Sequence, residues 1–171
     1  MTNDNVILFR SKNYLDASKN LKEFINFCKN DLVMLDSNIE WEYNEWKGIA
    51  IFCKMHEKIY SSNNDSKWLD SEFVEFAKAY VKYQYMQSPS KGIREASIAV
   101  LRVLERALLQ VNKNADVTQI NTIVLDECAN IIMQSYSGSP AYNYGRKLQI
   151  LVEFLGEKGM LKNGRLFWTT P

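Results

Sequence analysis

The stretch that most limits the fold is residues 90–112, SKGIREASIAVLRVLERALLQVN. At 100° per residue, Ile93, Ala96, Val100, Val103, Leu104, Ala107, Leu108 and Val111 fall within an apolar arc of roughly 140°, the pattern of a helix with one buried side. Lys91, Arg94, Arg102 and Arg106 gather opposite them, within an arc of about 120°. Glu95 and Glu105 offset these charges locally, and Ile98 and Leu109 interrupt the polar side. Such a cationic face has two explanations. It is the solvated side of a core helix, or it lies along an anionic surface such as nucleic acid. The helix follows from the spacing; the use of its basic side has to come from the rest of the chain.

The chain has 171 residues, 46% hydrophobic and 24% charged, enough for one domain or for an ordinary domain with a smaller one attached. Net charge is +1, so bulk electrostatics announce no partner. The distribution is less even: residues 1–70 hold nine Lys+Arg against eleven Asp+Glu, and residues 71–171 hold twelve against nine. That permits a basic face on the second part. Cys28, Cys53 and Cys128 are few, widely spaced and without a CxxC, which reads as reduced thiols in a cytoplasmic protein. The opening NVILFR is too short for a signal-peptide core, and no run approaches 18 apolar residues, so no membrane role is expected.

Along the chain, a short strand is compatible with residues 6–9. Asp16 or Ser18 can cap a helix reaching about Lys29, with Leu21, Phe24, Ile25 and Cys28 at helical spacing. Ile39, Trp41 and Tyr43 alternate, as do Ile49, Ile51 and Cys53, compatible with a β-hairpin turning through 44–48. The polar run SSNNDS at 61–66 is the clearest punctuation, and the boundary between two parts, 1–66 and 67–171, is placed there. Beyond it four helices follow with short links, which implies antiparallel neighbours in a bundle. The first starts at Asp70 or Ser71 and stops before Pro89. The second is the helix already described. Asp116 or Thr118 caps the third, which buries Ile120, Ile123, Val124, Cys128, Ile131 and Ile132. The fourth has Ser139 at its N-cap and Pro140 in its first turn, and ends at Gly159. It buries Tyr144, Leu148, Leu151, Val152 and Leu155 and carries Tyr142, Asn143, Arg146 and Gln149 toward its polar side. Leu166, Phe167 and Trp168 are expected to pack back onto the bundle.

Motifs for catalysis are wanting. His56 is the one histidine, and with Cys53 it forms CKMH without a second ligand pair at zinc-site spacing. A Ser-His-Asp or Cys-His arrangement would have to use His56 alone, and no GxSxG accompanies it. The glycines form no phosphate-cradling loop. Asp126 and Glu127, adjacent on a helix, point to different sides and read as solvated. Trp41 and Trp46 read as core of the first part. No catalytic residue, metal site or cofactor is expected.

Three segments, FVEFAKAYVKY at 73–83, IREASIAVLRVLERAL at 93–108 and AYNYGRKLQILVEFLGEKGML at 141–161, resemble the region that precedes the catalytic domain of phage integrases, the tyrosine recombinases, most closely those carried on bacterial mobile elements. The resemblance covers about 100 residues and consists of helix patterns. It implies a mainly α fold: a four-helix SAM-like core-binding bundle in 67–171, preceded by a small α or α+β part. It also implies one half of a clamp around double-stranded DNA, with the second and fourth helices of the bundle facing the duplex. The DNA-binding candidates are then Lys91, Arg94, Arg102, Arg106, Tyr142, Asn143, Arg146 and Lys147. The family's catalytic arginines, histidine and tyrosine have no place after Trp168, so the chain is expected to be a non-catalytic amino-terminal segment of a DNA-integrating recombinase. Self-association in a recombinase tetramer is a further implication. The competing expectation is a helical protein–protein module without DNA binding, anchored by Tyr80, Tyr83, Tyr85 and Tyr142.

Overall fold

A computed structural model gives the architecture and describes residues 8–11, 16–32, 39–57, 65–87, 91–166 and 168, with the backbone alone for 91–94. The described chain is mainly helical. Its α-helices are α1 (Ala17–Asn26), α2 (Ser71–Gln87), α3 (Lys91–Val111), α4 (Thr122–Ser135) and α5 (Ser139–Glu157). Between α1 and α2 lies an antiparallel hairpin of β1 (Glu45–Trp46) and β2 (Ala50–Ile51), in which Glu45 faces Ile51 and Trp46 faces Ala50. The hairpin is shorter than the alternating residues suggested, and its turn is Lys47–Gly48–Ile49 rather than 44–48. A three-residue turn suits Gly48, whose φ of 77° is open to glycine at little cost. A third extended piece completes the unit: Cys53 bridges Trp68, and Leu69 N–H donates to the Phe52 carbonyl at 2.9 Å.

Caps explain the helix limits. The Asp16 side chain accepts from Lys19 N–H at 3.0 Å and starts α1, whose last turn widens into a π-helical segment, Phe27–Asp31. Asp116 caps only a 3₁₀ turn, Val117–Gln119, because Ile120 is extended; Asn121 then caps α4 by accepting from Val124 N–H at 3.0 Å. The expected start of that helix at Asp116 or Thr118 is thus corrected to Asn121. At α5 the N-cap is Gly138, with φ 64°, and not Ser139, which forms the first helical residue ahead of Pro140. Gly159, φ 65°, terminates α5 as its position suggested, with Met160 N–H returning to the Leu155 carbonyl at 2.9 Å.

Helix α3 touches α2, α4, α5 and β2, and so becomes the axis of the molecule. One cluster of buried side chains runs from Phe9 through Trp46 and Phe52 to Leu161, so the described residues on both sides of the 61–66 run share one core. Phe24 shows how the ends meet: its ring lies 5.2 Å from Phe9, 5.5 Å from Tyr83 and 5.3 Å from Phe154. Polar bonds repeat the connection. Asn20 Nδ2 donates to the Gly159 carbonyl at 3.0 Å, Lys158 Nζ to that of Phe9 at 3.0 Å, and Ser11 Oγ to that of Lys158. The amino-terminal part therefore donates to the two carbonyls just beyond α5, those of Lys158 and Gly159, and receives a donor from Lys158 in return.

Burial also corrects three apolar expectations. Ile123, assigned to the core, is 64% exposed, and Leu125 takes the buried position. Tyr80 and Tyr83, suggested as interface anchors, are each 4% exposed and belong to the aromatic core. Trp46 is fully buried as expected, while Trp41 lies half-buried and donates through Nε1 to Glu75 at 2.7 Å. Trp168 does pack back, donating to Asp126 at 3.1 Å; the strand at 6–9 and Phe167 fall wholly or partly outside the described residues.

Two stability predictions follow from the backbone and the buried titrating groups. Lys113, two residues past the end of α3, holds φ 62°, a region that costs a side-chain-bearing residue about 1–2 kcal/mol. Lys113→Gly should raise unfolding free energy by about 0.5–1 kcal/mol after glycine's extra chain entropy, measured by urea titration. Burial pushes the Cys28 and Cys128 thiols well above their usual 9.0 and the Tyr80 phenol above 10.0. Each holds its proton more tightly folded than unfolded, so its contribution is complete below the unfolded value and declines as pH rises past it. Desolvation pushes the Lys78 and Lys82 ammoniums down from 10.5, which opposes this effect only below that pH. Above pH 10.5 the unfolding free energy should fall steeply, by about 1.4 kcal/mol per pH unit for each group still protonated, and the urea midpoint with it. A flat midpoint there would mean that these groups are open to water.

Candidate nucleic-acid interface

The basic side of α3 does not simply face water. From Ala96 to Leu101 every residue is buried, as are Val103, Leu104, Glu105, Ala107 and Leu108, so the helix is enclosed on more than its apolar arc. The hairpin covers the rest. Arg102, half-buried, donates from Nη2 to the Ile51 carbonyl at 2.8 Å and from Nε to the Cys53 carbonyl at 3.2 Å. Glu105, whose side chain is 2% exposed, accepts from Lys54 Nζ at 3.1 Å and from the Asp70 N–H. Asp70 in turn caps α2, accepting from Glu72 N–H at 3.0 Å. Two charged side chains of α3 thus pin the edge of the hairpin and the start of α2. Arg106 is exposed and makes no ion pair among the described residues. The side chains of Lys91 and Arg94 lie outside the described residues.

The first half of α5 carries the other candidates. Pro140 fits the first turn because its missing N–H would have had no partner there. Tyr142 is 70% exposed, Asn143 and Arg146 are exposed, and Lys147 is half-buried. Among the described residues Arg146 and Lys147 make no ion pair. The second half changes sign. Glu153 and Glu157 are exposed, and Arg165 of the returning tail lies 3.6 Å from Glu157. Gln149 lies in the cleft of about 480 Å³ between α5 and that tail.

Between the hairpin turn, α3 and the α4–α5 junction runs a groove of about 430 Å³. Ile98 and Ala99 form part of its lining, Arg102 lies on it, and Tyr136 and Tyr144 face across from the turn at Gly48. The two tyrosine rings meet edge to face, 4.6 Å apart at 74°. Burial pushes the Tyr136 phenol up, the neighbouring Tyr144 adds to this, and the Arg102 charge pulls it back, so the three side chains share one electrostatic environment. No local pattern in the sequence signals this groove. Its walls come from residues 45–51, 95–102, 136 and 144, and Tyr144 reads there only as part of an apolar stripe. Expected candidates and groove meet at two places: Arg102 lines it, and Tyr144 stands one helical turn before Lys147.

Among the described residues, no three His, Cys, Asp or Glu side chains come close enough together to hold a metal ion. Cys53 is buried within the hairpin unit, and His56 sits in a turn with φ 68°. No helix of the described residues is long and apolar enough to cross a membrane.

The role of the charged pair in α3 is testable. Arg102→Ala leaves two hairpin carbonyls without donors and should lower stability by about 2–3 kcal/mol. Glu105→Ala strands the Asp70 N–H and the Lys54 ammonium and should lose about 3 kcal/mol. Arg106→Ala, at an exposed site, should change stability by less than about 0.5 kcal/mol. Denaturant titration of the three variants separates structural from surface cations.

Comparison with family models, with characterised proteins and with solved structures finds no match to this chain.

Proposed function

We propose that the chain is the DNA-binding amino-terminal segment of a site-specific tyrosine recombinase, non-catalytic by itself, and that it engages duplex DNA through α5 and the exposed Arg106 of α3. The observation that carries this reading is the exposed set Tyr142, Asn143 and Arg146, with the half-buried Lys147 beside it, on the first half of α5, with no ion pair to its cations among the described residues. Helix α3, which touches α5, adds the exposed Arg106. Arginine and lysine there meet phosphate oxygens, and the tyrosine hydroxyl and asparagine amide can donate to the same backbone. The first turn of α5 has no side-chain cap, so its N–H groups also favour an anion. Arg102 belongs to this reading as a residue that holds the hairpin against α3, and the resemblance of 73–161 to the integrase core-binding region supplies the duplex as target.

A second reading, a protein–protein module, draws on different residues. Ile123 and Met133 are 64% and 62% exposed on the solvent side of α4, and Ile150 is 42% exposed on α5. Apolar anchors of this kind suit an interface, including one between copies of the chain.

Fluorescence titration with a 20-base-pair duplex at two salt concentrations tests the first reading. Three phosphate contacts, from Arg106, Arg146 and Lys147, give a slope of log K against log salt near −2.7, at roughly −0.9 per phosphate. Arg146→Glu with Lys147→Glu should abolish binding and leave the melting temperature unchanged within about 2 °C. A folded chain that binds no duplex at low salt, yet self-associates through Ile123 and Met133, decides for the second.

A further inference from the structure

We propose that the groove between the β1–β2 turn, α3 and the α4–α5 junction receives one unpaired nucleotide of a DNA strand lying along α5. This rests on the DNA-binding reading above and gives that surface a recess that duplex binding alone does not need.

The argument begins with Arg102. Two carbonyls hold its guanidinium plane through Nη2 and Nε, while Nη1 makes no hydrogen bond among the described residues. A guanidinium fixed in this way has already lost most of its rotamer freedom, which favours capture of a phosphate oxygen by the remaining donors. Facing it, the Tyr136–Tyr144 pair offers an aromatic wall, and bases stack on such rings whatever their identity. Ile98 and the short side chain of Ala99 give an apolar lining, and a Cβ added at Gly48 would meet nothing within 4 Å, so the turn side is open. About 430 Å³ suits a single nucleotide and excludes a base pair still stacked in a duplex.

Charge narrows the choice further. Glu45 and Glu95 line the groove alongside Lys47 and Arg102, so the lining is balanced in sign and disfavours a doubly charged terminal phosphate. A phosphodiester carries one charge and fits better. Continuity supplies the strand: around the first half of α5, Lys147 lies between the outward Tyr142, Asn143 and Arg146 and the groove-lining Tyr144, so a strand that follows the outward face and turns past Lys147 reaches the mouth of the groove.

The test compares a 20-base-pair duplex with the same duplex carrying one extra, unpaired thymidine, using the full chain and fluorescence anisotropy. The expected result is at least about fivefold tighter binding of the second probe, the lower end for one stacked base. Tyr144→Ala should erase this preference and leave affinity for the paired duplex unchanged, with folding checked by circular dichroism. Ala99→Leu, which fills the groove from its lining without removing any polar contact, should do the same. Equal affinity for both probes overturns the inference while sparing the DNA-binding reading, and so does a preference that survives in both folded variants. Failure to bind either probe overturns both.

Discussion

Arg102 and Glu105 form the joint on which the molecule turns. A two-stranded hairpin has carbonyls on its edges with no neighbouring strand to pair them, and buried carbonyls need donors. Helix α3 supplies one set: Arg102 reaches the Ile51 and Cys53 carbonyls. One turn further on, Glu105 works in the opposite sense, accepting the Asp70 N–H and the Lys54 ammonium. Opposite charges three residues apart thus grip both senses of backbone dipole. The hairpin can then bring Trp46 and Phe52, both fully buried, down onto the bundle. Without that grip the apolar contacts would remain, but their register against α3 would lose its polar specification.

This joint also marks where sequence and structure diverge. Helix existence, the stop at Gly159 and the caps at Asp16 and Gly159 were legible, because each depends on residues within a few positions of one another. The basic face of α3 was legible as a pattern and not as an environment. An arginine bonded to carbonyl oxygens of a docked hairpin and an arginine bonded to water have the same helical spacing, and no local signal separates them. Ile123 failed for a related reason. Once Ile120 is extended and Asn121 becomes the cap, α4 starts late, and the residue that looked continuous with the apolar stripe turns outward. Tyr80 and Tyr83 were misread because a phenol on a helix looks amphipathic, although here the ring packs and its edge meets Phe154.

The candidate surface was partly visible beforehand. Tyr142, Asn143 and Arg146 lie outward as their spacing implied, since nothing covers that face of α5 among the described residues. Lys147, between them and the groove, is half-covered. The groove was invisible, being an encounter of a hairpin turn, a mid-helix floor and a helix junction separated by up to 99 positions. Such sites arise only when the fold closes.

The charge order along α5 bears on the proposal that its first half faces an anion. A helix is most stable with acidic side chains near its N-terminus and basic ones near its C-terminus, where they oppose the partial charges of the backbone. Here the first turn holds no acid, the N-cap glycine offers no side-chain acceptor, and Arg146 with Lys147 precede Glu153 and Glu157. The arrangement therefore runs against the dipole at the C-terminal end, where Glu157 stands in the last turn, while the N-terminal end lacks an acid and has its nearest cations, Arg146 and Lys147, two turns further in. At the C-terminal end the mismatch is offset within the chain: Arg165 approaches Glu157, and Ser11 and Asn20 donate to the carbonyls just beyond the helix. At the N-terminal end no described side chain makes the matching correction. A negatively charged strand laid across that end would satisfy the uncapped N–H groups, Arg146 and Lys147 together. That is the physical content of the proposal that this surface takes DNA.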